Sequence, residues 1–160
     1  MVIATSFHTA RLVMLPLQVE YAGEMAEVLS DPDLYTFTGG EPPTVEALEN
    51  RYRRQLAGPG RENEYWLNWV VQYDSQLVGY VQATVTGRTA EIAWVIGTAW
   101  QGRGYAKEAA RGLVDWLGAH GVERIVAHVH PDHAASAAVT AAAGLTRTDQ
   151  VDDGEYLWTT

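Results

Sequence analysis

Residues 91–106 read EIAWVIGTAWQGRGYA: a β-branched and aromatic run, a loop holding Gly102 and Gly104, and a helix opening near Tyr105. A strand that breaks into such a loop and then a helix leaves few folds open. Glycine lets the backbone come close to a ligand, and a helix N-terminus offers free N–H groups at the positive end of its dipole. The stretch therefore suits a phosphate or pyrophosphate, with Arg103 or Lys107 as further positive charge. By glycine spacing alone, a tight turn that binds nothing fits equally well. The loop is not a Walker A motif, because Gly-x-x-x-x-Gly-Lys-Ser/Thr is absent. It also lacks the third glycine and the ribose-binding acid of the Rossmann fingerprint.

Periodicity places the remaining elements around this unit. Residues 11–15 form a short apolar strand stopped by Pro16, and residues 19–29 carry Val19, Ala22, Met25, Ala26 and Leu29 on one helical face. Thr44 is a candidate N-cap for a second helix reaching about Leu56. Three segments rich in aromatic and β-branched residues follow, at 65–73, 77–85 and 89–96, with turn residues between them, so consecutive antiparallel strands are expected. A helix over 105–117, a strand over 125–130 and an alanine-rich helix over 134–143 closed by Gly144 come next. A short strand near 145–148 and a last one at 155–160 complete the order. This predicts an α/β (α+β) fold: a mixed, mostly antiparallel sheet with helices on both faces and one βαβ crossover over residues 89–130.

The chain has 160 residues, 47% of them hydrophobic, which is enough for one domain over residues 1–160 with a real core. Eleven basic residues against twenty acidic ones leave a net charge of −9. That balance argues against nucleic acid, whose binding rests on Lys and Arg neutralising phosphates, and leaves room for a cationic substrate. With no cysteine, disulfides, thiolate nucleophiles and Cys-ligated zinc are all excluded. No signal peptide is read at the N-terminus, and no apolar run is long enough to span a bilayer, so no membrane partner and a cytoplasmic location are expected. Six Trp and eight Tyr could serve a core or an interface, and monomer and homodimer both remain open.

Gln101-x-x-Gly104-x-Ala106 resembles the acetyl-CoA motif of the GNAT superfamily of N-acetyltransferases, Gln/Arg-x-x-Gly-x-Gly/Ala. The likeness continues through Trp100, the helix YAKEAARGLVDWL, the strand RIVAHV and the segment HPDHAASAAVTAAAGL. This last piece, with RLVMLPL and FTGGEPP nearer the start, is similar to the ribosomal-protein N-terminal acetyltransferase (RimJ/RimL-like) branch. The resemblance implies a GNAT fold, acetyl-CoA as cofactor, and transfer of an acetyl group to a primary amine on a protein N-terminus or small molecule. It implies that N–H groups of Gly102, Arg103, Gly104, Tyr105 and Ala106 hold the pyrophosphate. The pantetheine arm would then pair with the splayed strand end around Val95 and Ile96. It also places acceptor recognition in the loop at 34–43, where Tyr35, Phe37 and Thr38 are candidates, a capped loop with buried aromatics being the equal alternative.

Acyl transfer to an amine needs a proton acceptor, a polarised carbonyl and a stabilised leaving thiolate. Glu91 stands on the strand before the glycine loop, with Ala93 and Val95 on its own face, and is the candidate base, with an ordinary edge-facing Glu as the other reading. No Tyr occurs over residues 133–145 to protonate the thiolate, as many relatives do; Ser136 is the candidate in its place, with helix packing among alanines as the other reading. His133 stands where the branch usually has Asn, a departure that alters the contact expected toward the cofactor. Trp66 and Trp69 are read as core rather than substrate platform. Two alternatives are a non-catalytic acyl-CoA-binding sensor of the same fold, and a zinc hydrolase using His128-x-His130-x-Asp132-His133, against which stands the plainer reading of His128 and His130 on one strand face, packed or solvated.

Overall fold

Alternating apolar residues from position 64 to 96 build the centre of the molecule, seen in a computed structural model that describes residues 2–160. Strands β3 (Glu64–Tyr73), β4 (Gln76–Thr86) and β5 (Thr89–Ile96) form an antiparallel meander. Before them lie β1 (Phe7–His8) and β2 (Val13–Pro16); after them come β6 (Arg124–Val129), β7 (Thr146–Asp152) and β8 (Glu155–Thr159). All eight join one sheet in the order β1-β2-β3-β4-β5-β6-β8-β7. Only β5 and β6 run parallel, joined by the expected crossover.

Helices cover both faces. Helix α1 (Ala22–Val28) and helix α2 (Val45–Ala57) lie on one, where Met25, Leu48 and Tyr52 pack on Val70 and Leu77. Helix α3 (Tyr105–Ala119) and helix α4 (Ala134–Ala142) lie on the other, over the larger core around Trp69, Val81, Ile92 and Leu113. Thr44 caps α2, its hydroxyl accepting from the Ala47 N–H at 3.1 Å. Residues 19–29 do not form one α-helix: a 3₁₀ turn occupies Val19–Tyr21 before α1, and Gln18 supplies no side-chain cap there. Strand β1 is too short to show a period in the sequence. Strand β7 runs well past the expected 145–148, because a polar edge strand, paired only to β8, shows no apolar alternation.

The meander is tightest where β4 meets β5. Gly79 opposes Ile96, and a Cβ placed on it would stand 2.1 Å from the Val95 carbonyl oxygen. Gly79→Ala is therefore expected to lower stability by about 1–3 kcal/mol through forced overpacking. Gly118→Ala, in open space on α3, is expected to hold or raise it. Thermal midpoints of the two variants test this, and an unshifted Gly79→Ala would show that the strands separate freely there.

Candidate active site

The loop between β5 and α3 is shaped by backbone. Gly102 and Gly104 adopt positive φ values of 78° and 83°, a region costly for L side chains. Gly104 occupies the N-cap of α3, where no side chain caps the helix. None of the N–H groups from Gly102 to Ala106 finds a backbone partner among the described residues, and the space beside the Gly102 Cα is open. A concave run of free donors at the positive end of a helix fits a pyrophosphate.

Side chains brace this loop. Gln101 donates its amide to the Ile96 carbonyl at 2.9 Å, so it fixes the loop rather than facing outward. Arg11 donates to the Arg103 carbonyl at 3.0 Å, and its guanidinium lies 4.6 Å from the centre of the Tyr105 ring. Glu108 accepts from the Thr9 hydroxyl and from the backbone N–H and Nε of Arg11. Burial alone would push the Glu108 carboxyl up, but these donors hold it below the usual carboxylate range. The Tyr105 ring is buried against Tyr73, so it is by its backbone N–H that Tyr105 joins the run of free donors. Arg103 and Lys107 take part in no ion pair among the described residues.

A backbone edge opens beside the loop. Strand β5 pairs with β6 only over residues 89–91, opposite Arg124, Ile125 and Val126, while its pairing with β4 continues to Ile96. Beyond Glu91 the two parallel strands diverge, so the backbone around Val95 has one edge free for an added, strand-like ligand. The Ile96 carbonyl is taken by Gln101 and its side chain is buried.

The registers place three rows of side chains across the sheet face that α1 and α2 cover. Val70, Tyr80 and Val95 form the first, Asn68, Gln82 and Ala93 the second, and Trp66, Thr84 and Glu91 the third. The first row is roofed by helices, whereas Ala93, Thr84 and Glu91 are exposed. The two tryptophans divide accordingly. Trp69 is fully buried in the core on the opposite face, and Trp66 is half-buried beside the open row, which corrects the reading of both as core.

Glu91 is not isolated on this face. Its carboxylate lies 3.1 Å from Nδ1 of His128, whose Nε2 lies 3.0 Å from the Asp152 carboxylate. Burial pulls the imidazole pKa down, but hydrogen bonds and charge from Asp152 and Glu91 outweigh it and hold the group above its ordinary value. A neutral imidazole donates from one nitrogen only, so a ring flanked by two carboxylates favours the doubly protonated form. In the sequence His128 is legible as a possible metal ligand or as a packed or solvated strand residue, and Asp152 gives no signal at all.

At the mouth of the splay, Phe37 reaches over from the loop between α1 and α2. Its ring stacks on the His133 imidazole, with centroids 4.4 Å apart and planes at 14°, and stands 5.1 Å from His130. Nε2 of His133 lies 3.3 Å from the Ser136 hydroxyl. Burial, and then the neighbouring His130, hold His133 below the usual imidazole range, so it is neutral at neutral pH. Phe37, His133 and Ser136 are thus brought together. Tyr35 donates its hydroxyl to the Leu29 carbonyl at 2.8 Å, and Thr38 is exposed with its hydroxyl on the next carbonyl. The three histidines face different partners: His128 the two carboxylates, His130 the Asp132 N–H, His133 the Ser136 hydroxyl. Among the described residues no group of three His, Asp or Glu is arranged to hold a metal ion. The zinc-hydrolase alternative has no geometric support. Among these residues too, no helix is long and apolar enough to cross a membrane.

Comparisons with known proteins agree with this architecture. No curated protein shows significant sequence similarity. A GNAT-family acetyltransferase from Bacillus anthracis superposes with a TM-score of 0.79 at 21% identity, covering 98% of this chain and 98% of its own. RimL, a ribosomal L7/L12 alpha-N-protein acetyltransferase in complex with coenzyme A, gives a TM-score of 0.82 at 14% identity over 98% and 97%. The aminoglycoside acetyltransferase AAC(6')-Ib, in complex with coenzyme A, gives 0.78 at 16% identity over 93% and 94%. The family model for the acetyltransferase (GNAT) domain matches residues 11–146. With most of its length covered by that model, the chain belongs to the GNAT acetyltransferase family.

Proposed function

We propose that this protein is an acetyl-CoA-dependent N-acetyltransferase in which a primary amine attacks the thioester directly. The observation that carries the reading is one of alignment: free N–H groups at the α3 N-terminus, the free edge of β5 and the Glu91 carboxylate follow one strand and its loop. The solved neighbours RimL and AAC(6')-Ib hold coenzyme A on the same fold. Acetyl-CoA supplies the activated acyl group.

The chain's own residues do the rest. Gly102 to Ala106 donate N–H groups to the pyrophosphate, with Arg103 at the rim, and Val95 presents its backbone to the pantetheine arm. Glu91 accepts the proton that the ammonium must lose, and His128 and Asp152 orient it and share its charge. Ser136, held by His133, donates a hydrogen bond toward the sulfur as the C–N bond forms and the C–S bond breaks; CoA leaves as the thiolate, and the proton the nitrogen sheds on becoming an amide passes to solvent. With no cysteine in the chain, no acyl-thiol enzyme forms.

Thermal unfolding with and without acetyl-CoA tests the reading. At about 100 times its dissociation constant a ligand stabilises by about 2.7 kcal/mol. For a domain of this size the midpoint should rise by about 5–10 °C. No rise at millimolar acetyl-CoA would sink the proposal. A rise without turnover on any amine would favour the acyl-CoA sensor.

A further inference from the structure

Between α2 and the sheet lies a cavity of about 200 Å³, on the same face as Glu91. Its floor is the second row of side chains, Asn68 and Gln82, and its wall is Arg51, Tyr52 and Gln55 of α2. Along that row the next side chain is Ala93 of β5, exposed and two residues from Glu91. Gln82 thus stands between the cavity and Ala93 along that row.

Among the described residues no carboxylate stands within ion-pair distance of Arg51. It takes part in none of the ion pairs or side-chain hydrogen bonds among the described residues, whereas Arg53 on the same helix donates to Asn50. Burial raises the Tyr35 and Tyr80 phenols and pushes Tyr52 up to about 12, so these neighbours stay protonated and supply no anion. A half-buried guanidinium facing amides and neutral phenols fits a carboxylate, which it holds in a planar fork. The cavity is too small for a whole drug-sized ligand, so it takes one arm of the acceptor.

We propose that Arg51 is a specificity residue and that the acceptor is a primary amine carrying a carboxylate several bonds away. Asn68 and Ala93 stand on strands two apart, about 10 Å at ordinary strand spacing. An amine at Glu91 and a carboxylate at Arg51 are thus joined by a short chain, and an α-carboxylate is too close. Such an acceptor is either a small ω-amino acid or a peptide N-terminus with an acidic side chain. A polycationic amine meets Arg51 as a like charge. The inference rests on the acetyltransferase reading and names its acceptor class.

The test uses matched pairs: 5-aminovalerate against 5-aminovaleramide, and amidated Ala-Glu against amidated Ala-Gln. A thiol reagent follows release of CoA, and the chain, lacking cysteine, adds no background of its own. At least tenfold higher kcat/KM for the carboxylate member of one pair is expected; which pair responds separates the small-molecule source from the peptide source. Arg51→Gln should erase the preference and Arg51→Lys keep part of it, both retaining the midpoint rise with acetyl-CoA. Equal use of both members by the wild type, or an undiminished preference in Arg51→Gln, would overturn the inference. A second readout needs no turnover: with CoA bound, the preferred carboxylate should raise the midpoint of the wild type and not of Arg51→Gln. If every amine stays unacetylated, this readout still decides the carboxylate site while the transferase reading alone fails.

Discussion

Glu91→Gln is expected to lower kcat by about two to four orders of magnitude while leaving the acetyl-CoA-induced midpoint rise unchanged. The substitution keeps the shape of the side chain and a hydrogen bond toward His128, and removes only the capacity to accept a proton. Glu91 is exposed beside the splay and away from the loop donors, so cofactor affinity has no reason to follow. A rate within twofold of the wild type would take Glu91 out of the mechanism.

The pH profile adds a sharper readout. As an imidazolium, His128 donates to both carboxylates and holds the lone pairs of Glu91. Once neutral, with its remaining N–H on Asp152, it faces Glu91 with a free lone pair and can relieve it of a proton. Turnover should therefore climb with pH along a limb set above the ordinary imidazole value of 6.5, and His128→Gln should remove that limb. Stability follows the opposite direction. A pKa raised on folding gives a contribution that is complete below the unfolded value and lost as pH rises through the folded one. The His128 variant should show a flatter stability profile across that window.

Gly102→Val is expected to abolish the acetyl-CoA-induced midpoint rise. A β-branched residue at φ 78° is strained, and its side chain fills the open cradle that the phosphate oxygens would occupy. Strain alone is separated from binding by Gly121→Val. That glycine has φ 91°, stands in open space and lies past the far end of α3. Both variants should lose stability; only Gly102→Val should lose the ligand effect. An intact rise in Gly102→Val would remove the loop from the binding site.

The parts of this molecule legible in its sequence are those governed by local rules. The Thr44 cap, the antiparallel meander and the strand–glycine–helix unit each depend on residues a few positions apart. Phe37, His133 and Ser136 are legible in the sequence only one by one, and nothing in it shows that one loop lays Phe37 on His133. The Glu91–His128–Asp152 chain was harder still. Strand alternation puts His128 and His130 on one face, but Asp152 comes from a polar edge strand whose register is fixed by β8 alone. Arg51 had no signal at all, since on a helix wheel an unpaired arginine and a solvated one look alike.

The brace built by Arg11 and Glu108 ties the ligand loop to the first strands of the chain. Fixing the backbone of a residue costs roughly 1–2 kcal/mol of conformational entropy. Here that cost is met when β1 and β2 fold, so under the proposed function the loop would meet its anion already ordered. Affinity at residues 102–106 and the integrity of the first hairpin thereby become two readings of one equilibrium. Linkage would make the relation mutual: loosening the hairpin should weaken anion binding, and a bound anion should hold the hairpin closed.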